Sequence, residues 1–304
     1  MFDILVRAAC FIGIILLGYT LKRIHYLKQE DFTVLSKIVI RVTLTATIVV
    51  SFSGKELDPA MLLMTIMGTG YGLLMMLLSF LAAIKKGRKE QAFAMVNSAG
   101  CNIGNFALPF AQSFLGPVSV IAVSLFDAGN SLICLGGSVS FASVWQDENK
   151  RFSLLPLLKS LAKSVPLMTY ILMTILTLCH ITLPQPLLDY AQIIANANAF
   201  LAMFMIGVGF RISGDRSQLK DIARILGVRY ATAVLLALLA YFVLPLPMDW
   251  KMALVILFLA PVPSAAPGFT ADLKGDYGLA SAINSFSILI SIVLITLSLV
   301  LMLM

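Results

Sequence analysis

The stretch AMVNSAGCNIGNFALPFAQSFLG (Ala94–Gly116) is apolar enough to enter a membrane, but residues that break helices interrupt it. Gly100 and Pro109 lie inside it. Its three asparagines are Asn97, Asn102 and Asn105. A proline inside a helix removes one backbone hydrogen bond and clashes with the preceding turn. In lipid, the backbone groups set free must find partners in protein, water or a ligand. The stretch therefore predicts a broken membrane helix whose break carries polar side chains.

A second stretch, ALVILFLAPVPSAAPGFTADLKG (Ala253–Gly275), has the same character near the other end of the chain. Its three prolines are Pro261, Pro263 and Pro267. Two interrupted hydrophobic segments at corresponding positions of two halves indicate a binding site within a membrane protein. The alternative is that both are merely kinked helices, which leaves the asparagines of the first stretch unexplained.

The composition of the whole chain agrees with a membrane setting. Of 304 residues, 60% are hydrophobic and 12% are charged, whereas soluble domains average about 45–50% apolar and about 25% charged residues. Too few polar residues remain to cover a soluble enzyme, a secreted disulfide scaffold or a nucleic-acid-binding domain. An integral membrane protein is the class that remains.

The hydrophobic segments predict an all-α integral membrane protein with ten transmembrane helices. The predicted spans are 2–21, 32–52, 59–84, 91–115, 117–145, 153–179, 186–210, 222–245, 250–271 and 278–303. The polar run at 146–152 separates a first five-helix repeat, 1–145, from a second, 153–304. Because five is odd, the second repeat starts on the opposite side of the membrane, which predicts a 5+5 inverted repeat in which helices 4 and 9 are both broken.

Basic residues in the loops predict the orientation. The loops after spans 1, 3, 5, 7 and 9 hold fourteen Lys and Arg residues, and the alternate loops hold only Lys55 and Lys251. Loops rich in Lys and Arg stay in the cytoplasm. We therefore expect a multi-pass protein of the cell (inner) membrane with both termini outside.

Two longer runs resemble a known family. CNIGNFALPFAQSFLGPVSVIAVSLFDAGNSL (Cys101–Leu132) resembles the signature of the auxin efflux carrier family, with an Asn seven residues before a Pro and a Phe-Asp pair in the next span. APVPSAAPGFTADLKGDYGLASAINSFSILISI (Ala260–Ile292) resembles its second half, with a proline-rich crossover and a Ser-rich last helix. The chain is thereby identified as a bacterial-type member.

The resemblance implies a mechanism as well as a fold. Spans 4 and 9 would cross at the membrane midplane with the substrate beside them. Spans 1, 2, 6 and 7 would form a scaffold and homodimer contact for elevator-type transport. The implied substrate is a small organic anion, either a malate- or malonate-like carboxylate or an auxin-like aromatic acid.

Asp127 is the only acidic residue near the middle of a predicted span. An ionised carboxylate is expensive to place there, and such residues are functional by default. Asn130 lies three residues on, on the same helix face. We expect the pair to carry a coupling proton or sodium ion. A structural hydrogen bond that closes the broken helix is the alternative.

The other site predictions cluster at the breaks. Amides offer donors and acceptors, so Asn102 and Asn105 are predicted to bind substrate. Free N–H groups at helix starts favour an anion. The further predicted site residues are the prolines Pro109, Pro263 and Pro267, which would shape the crossover, and Ser264, a candidate for substrate binding. Arg41 is predicted as a counter-charge for the substrate or for Asp127, and the alternative is that it reaches the lipid headgroups. Asn196 and Asn198 are expected to form interhelical hydrogen bonds.

No motif predicts a cofactor, a metal site or catalysis. The four cysteines lie in apolar stretches without a CxxC pair, and neither HExxH nor GxSxG occurs. We therefore expect a non-enzyme without cofactor or metal, and without nucleic acid as a partner. Two alternatives to an anion carrier remain: a sodium-coupled carrier similar to the bile-acid symporters, and a membrane sensor on the same fold that does not transport.

Overall fold

The structure is a computed structural model that describes residues 2–147, 149, 151–210 and 218–303. These residues form helices joined by turns, without a strand. The α-helices are α1 Phe2–Arg23, α2 Asp31–Ile38, α3 Leu44–Phe52, α4 Leu63–Ala82, α5 Arg88–Ser98, α6 Leu108–Phe114, α7 Pro117–Leu132, α8 Ser138–Gln146, α9 Leu154–Lys163, α10 Val165–Leu178, α11 Gln185–Asn196, α12 Asn198–Gly209, α13 Leu219–Phe242, α14 Met248–Phe258, α15 Ala266–Asp272 and α16 Tyr277–Met302. Three of the predicted cytoplasmic basic residues, Lys150, Arg211 and Arg216, lie outside the described residues.

Several helices continue into one another through short π-helical turns. Val39–Thr43 joins α2 to α3, Ile103–Ala107 leads into α6, and Ile133–Gly137 joins α7 to α8. A 3-10 turn, Pro59–Leu62, precedes α4. Turns of this kind let a helix shift its face without losing its backbone hydrogen bonds altogether.

Seven helical stretches within the described part of the chain are long and apolar enough to cross a membrane. They are Leu5–Arg23, Asp31–Phe52, Pro59–Ala82, Pro117–Gln146, Gln185–Gly209, Leu219–Phe242 and Tyr277–Met302. The bent pair α9 and α10 makes an eighth if it is counted as one span. The chain is therefore an all-helical, multi-pass membrane protein. The ten-helix count stays a prediction, since it requires α5 with α6 and α14 with α15 to be taken as broken spans.

Both predicted breaks are present. The backbone leaves the helix after Ser98, and Gly100 adopts a left-handed conformation with φ +71°. A side chain at Gly100 would collide with the side chains of Asn130 and Cys134, so this position requires glycine. In the second half, α14 ends at Phe258 and α15 begins at Ala266. The prolines between them cannot donate backbone hydrogen bonds that would continue α14.

The predicted sixth span, 153–179, is not one straight helix. Helices α9 and α10 meet at an angle of 74°. Ser164 between them has an extended backbone, with ψ 106°, and its side chain accepts a hydrogen bond from the Leu167 N–H at 3.4 Å. Pro166 lacks the N–H that a continuous helix would use, which explains the bend.

Apart from α9, which packs on α10 and on the turn Ile133–Gly137, the helices fall into two groups by their packing. The panel consists of α1–α3 and α10–α12, in which α1 packs along α12 and both α10 and α11 pack on α3. The bundle consists of α4–α8 and α13–α16, in which α4 packs on α7, α13 on α14, and α15 on α16. Within the panel, Thr43 donates to Asn198 Oδ1 at 2.8 Å, which confirms the interhelical bond expected for Asn198. Asn196 instead accepts a bond from Gln192 on its own helix, so that expectation is wrong for Asn196.

Side-chain hydrogen bonds also cross from the panel to the bundle. Arg7 on α1 donates to the Ser113 carbonyl at 2.7 Å. Tyr170 on α10 donates to Asp127 Oδ2 on α7 at 3.0 Å. The second of these bonds ends on the acidic residue that the sequence singled out.

Candidate functional site

The two breaks contact each other. The Asn102 backbone N–H donates to the Pro261 carbonyl at 2.9 Å. The Asn102 side chain donates to Ser264 Oγ at 2.8 Å. Each half of the chain therefore supplies hydrogen-bond partners for backbone or side-chain groups freed in the other, as a broken helix in lipid requires.

An asparagine on the helix that follows each break holds that break in place. Asn130 on α7 accepts from the Cys101 N–H and donates to the Cys101 carbonyl, both at 2.9 Å. Asn284 on α16 donates to the Val262 carbonyl at 2.9 Å and to the Pro263 carbonyl at 3.3 Å. Each half of the chain thus has an asparagine side chain that donates to a backbone carbonyl of its break, and Asn130 also accepts a bond there.

Arg229 is a residue of this region that the sequence interpretation missed. It lies on α13, is 0% exposed, and reaches the carboxyl ends of both interrupted helices. Its Nη1 donates to the Ser98 carbonyl at 2.5 Å, and its Nη2 donates to the Ala260 carbonyl at 2.9 Å and the Pro261 carbonyl at 3.3 Å. The carbonyl ends of helices carry partial negative charge, so one guanidinium neutralises both.

A usable signal for Arg229 was present in the sequence. It stands inside the apolar run of span 8, and an ionisable residue within a membrane segment indicates a functional or structural site. Basic residues in loops indicate only the orientation of the spans, and Arg229 lies inside a span.

A polar cavity of about 250 Å³ lies beside the crossed breaks. Six predicted site residues line it: Asn102, Asn105, Asp127, Asn130, Pro263 and Ser264. Its remaining walls include residues of α2 and the start of α10, so the cavity lies between the panel and the bundle. The volume is below the range of about 300–1,000 Å³ typical of pockets for drug-sized ligands, and it suits a small solute.

Asp127 is buried at the wall of this cavity, at 8% exposure. Asn130 Nδ2 donates to its Oδ1 at 3.1 Å, and Tyr170 donates to its Oδ2 at 3.0 Å. Both partners are neutral donors. No ion pair of Asp127 occurs within residues 2–147, 149, 151–210 and 218–303.

Asn105 has an unused acceptor. Its Oδ1 is buried and has no hydrogen-bond partner in the described part of the chain, although the residue lines the cavity. A buried polar atom without a partner is costly and requires an explanation, such as a ligand or an ion. A donor group or a cation bound in the cavity would supply the missing partner of this oxygen.

Three predicted site residues do not reach this cavity. Pro109 is buried in the first turn of α6. Pro267, at the start of α15, lines a separate cavity of about 280 Å³ together with Asn284. Arg41 is exposed and lines a third cavity of about 320 Å³. Pro109 lies within the continuous helical run 103–114 and Pro267 within the first turn of α15, so both lie beyond the breaks themselves.

A multi-pass helical protein with a polar cavity at two touching helix breaks has the architecture of a membrane transporter. The chain belongs to the auxin efflux carrier family: residues 4–303 match the family profile described as membrane transport protein. The family resemblance read from the sequence is thereby confirmed. Membership indicates a membrane transporter and agrees with a protein that is not an enzyme. A comparison with curated proteins finds no match.

Proposed function

We propose that this protein is a secondary transporter for a small organic anion, a malate- or malonate-like carboxylate or an auxin-like aromatic acid, which binds in the central cavity. The observation that carries the proposal is the meeting of two helix breaks at one small polar cavity. Asn102 and Asn105 stand there with amide groups able to bind a carboxylate.

The helix ends at the breaks favour a negative charge. Arg229 occupies the carboxyl ends at Ser98 and Ala260. The end that stays free beside the cavity is the start of the continuous helical run 103–114, where the first N–H groups lack helical partners. Together with the amides, these N–H groups can donate hydrogen bonds to a carboxylate. Asp127 is the one acidic residue in the lining of the cavity.

Asp127 is the proposed coupling residue. An ionised Asp127 in the same cavity would repel a bound anion, so the anion binds best when Asp127 also carries a proton or a cation. The unpartnered Oδ1 of Asn105 supports sodium as a second candidate, since sodium is bound by oxygen atoms. This atom is also what favours the sodium-coupled alternative, a carrier similar to the bile-acid symporters.

The movement proposed is of the elevator type. Extensive packing within the panel and within the bundle, with the cavity between them, supports relative motion of the two bodies. The recurring asparagine arrangement at the two breaks supports a 5+5 inverted repeat of ten helices with helices 4 and 9 crossing. A homodimer formed through the panel, inserted in the inner membrane with both termini outside, completes the proposal.

The proposal is tested by uptake into proteoliposomes. A thermal-shift screen of mono- and dicarboxylates, aromatic acids and sodium first identifies a ligand, because a ligand of the folded state raises its stability. Asn102→Ala is then expected to abolish uptake of that acid while the protein stays folded. Asn196→Ala, the same substitution at an exposed position of α11, is the matched control and should transport normally.

Three results are informative. Normal uptake by Asn102→Ala would refute the assignment of the cavity. Binding without uptake by the unmodified protein would favour the non-transporting sensor. Uptake that requires sodium would favour the sodium-coupled carrier over proton coupling.

A further inference from the structure

A basic recess lies next to the central cavity. Its volume is about 320 Å³, and it is enclosed by α2, α9 and the first turn of α10. Three cationic side chains line it: Lys37 from α2, Arg41 from the π-helical turn Val39–Thr43, and Lys163 from α9. Hydroxyl groups lie between them, from Ser36, Ser160 and Ser164.

The charge of this basic recess is not balanced by protein. Its lining contains no acidic residue, and none of its three cations forms an ion pair within the described residues. Three like charges around one small cavity repel one another unless an anion lies between them. The combination of cations and hydroxyl donors fits an oxyanion such as a phosphate.

The surface around the basic recess is aliphatic. Val34 and Ile38 on α2 and Val42 in the π-helical turn that follows are exposed, four residues apart, beside Lys37 and Arg41. On α9, the exposed side chains are Leu154, Leu155 and Leu158. Aliphatic side chains contribute nothing to the binding of a soluble anion, whereas they pack against acyl chains. The basic recess, with apolar surface on two sides, is complementary to a phospholipid. The charged headgroup would lie in the recess, and the acyl chains would lie along the helices.

The bend between α9 and α10 makes room for this arrangement. Helix α9 turns 74° away from α10, and Lys163 at its end lines the same cavity as Lys37 of α2. A straight sixth span would have carried α9 along the line of α10. The predicted cytoplasmic location of the loop before α9 agrees with the leaflet in which basic residues meet anionic lipid.

We propose that Lys37, Arg41 and Lys163 form a binding site for the phosphate of an anionic phospholipid. The basic recess shares Ser36, Ile40, Leu135, Ser164 and Pro166 with the central cavity, so the lipid would support one wall of that cavity. The site does not depend on which solute the protein transports.

Lipid retention tests the proposal directly. Detergent-purified protein is titrated with dioleoyl-phosphatidylglycerol or dioleoyl-phosphatidylcholine, and bound lipid is counted by native mass spectrometry. The test variant is Lys37→Gln/Arg41→Gln/Lys163→Gln. The matched control, Lys28→Gln/Lys86→Gln/Lys159→Gln, removes the same charge from exposed positions outside the basic recess.

We expect the unmodified protein and the control to retain phosphatidylglycerol in preference to phosphatidylcholine. The test variant should bind phosphatidylglycerol about a hundredfold more weakly. This factor combines the loss of three basic residues, each with the usual contribution of a Lys or Arg to binding at an anionic membrane surface. If the triple variant does not fold, Arg41→Gln alone should weaken binding about fivefold.

Equal retention of phosphatidylglycerol by the test variant and the control would overturn the proposal. If the test variant then also shows a raised half-saturating concentration for malonate uptake in phosphatidylcholine liposomes, the basic recess is an entry site for the transported acid instead. The retention measurement is valid even if the protein transports no organic acid, so the two proposals fail separately.

Discussion

Replacing Arg229 tests whether one buried cation joins the two broken helices. In Arg229→Met, the aliphatic part of the side chain is kept and the guanidinium is removed. The carbonyls of Ser98, Ala260 and Pro261 then lose their donor. Arg229 is 0% exposed, so these carbonyls lie away from bulk water.

The size of the effect follows from these bonds. Two of them, at 2.5 and 2.9 Å, are short charge-assisted bonds. Such bonds contribute about 1.5–3 kcal/mol each, so we expect a loss of about 3–6 kcal/mol. With an unfolding entropy of about 2.1 cal/mol/K per residue over 304 residues, this loss lowers Tm by roughly 5–9 °C.

The assay is thermal unfolding in a single detergent, followed by uptake. Arg224→Met is the matched control: Arg224 lies on the same helix, is partly exposed and pairs with Asp221 at 2.9 Å. An exposed pair of this kind contributes about 0.2–1 kcal/mol, so its Tm should change by less than about 2 °C. Arg229→Lys, which keeps the charge but not the fork of donors, should fall between the two. Equal Tm values for Arg229→Met and Arg224→Met would refute the role given to Arg229.

Two further predictions concern the cavity and the helix packing. Asp127→Asn should remove the proton or sodium dependence of uptake. Tyr170→Phe, which deletes only one donor to Asp127, should retain this dependence. Ion dependence that survives in Asp127→Asn would exclude Asp127 as the coupling group. Gly129→Ala should lower Tm, since overpacking costs about 1–3 kcal/mol and the added carbon would meet the Thr65 carbonyl of α4. Gly70→Ala on α4, where a Cβ meets nothing within 4 Å, is the control, and a similar Tm for both variants would contradict the close approach of α4 and α7.

Prediction from sequence succeeded where the physical signal is local. Apolar runs long enough to cross a bilayer place most helices correctly, because hydrocarbon tolerates little else. The breaks after Ser98 and Phe258 follow from glycine and proline, whose backbone restrictions do not depend on tertiary contacts. The bend at Ser164 has the same origin in Pro166, but a single proline near a helix start is common and does not by itself predict a bend.

The site was predicted in part for the same reason. Asn102 and Asp127 are polar residues in apolar segments, and lipid makes such residues improbable unless they have partners. Which of them share a cavity is a question of distance. Pro109 and Pro267 carry an equally strong sequence signal, yet they lie away from the central cavity.

The sequence by itself determined that this chain is a multi-pass helical membrane protein of the auxin efflux carrier family, with two interrupted segments. The tertiary structure decided what those interruptions contact: Asn102 against Pro261 and Ser264, and Arg229 against the carboxyl ends of both half-helices. Hydropathy and backbone propensity act along the chain and can be read from neighbouring letters. Hydrogen bonds between residues more than a hundred positions apart depend on the folded arrangement of the helices, and that arrangement brings the two halves together.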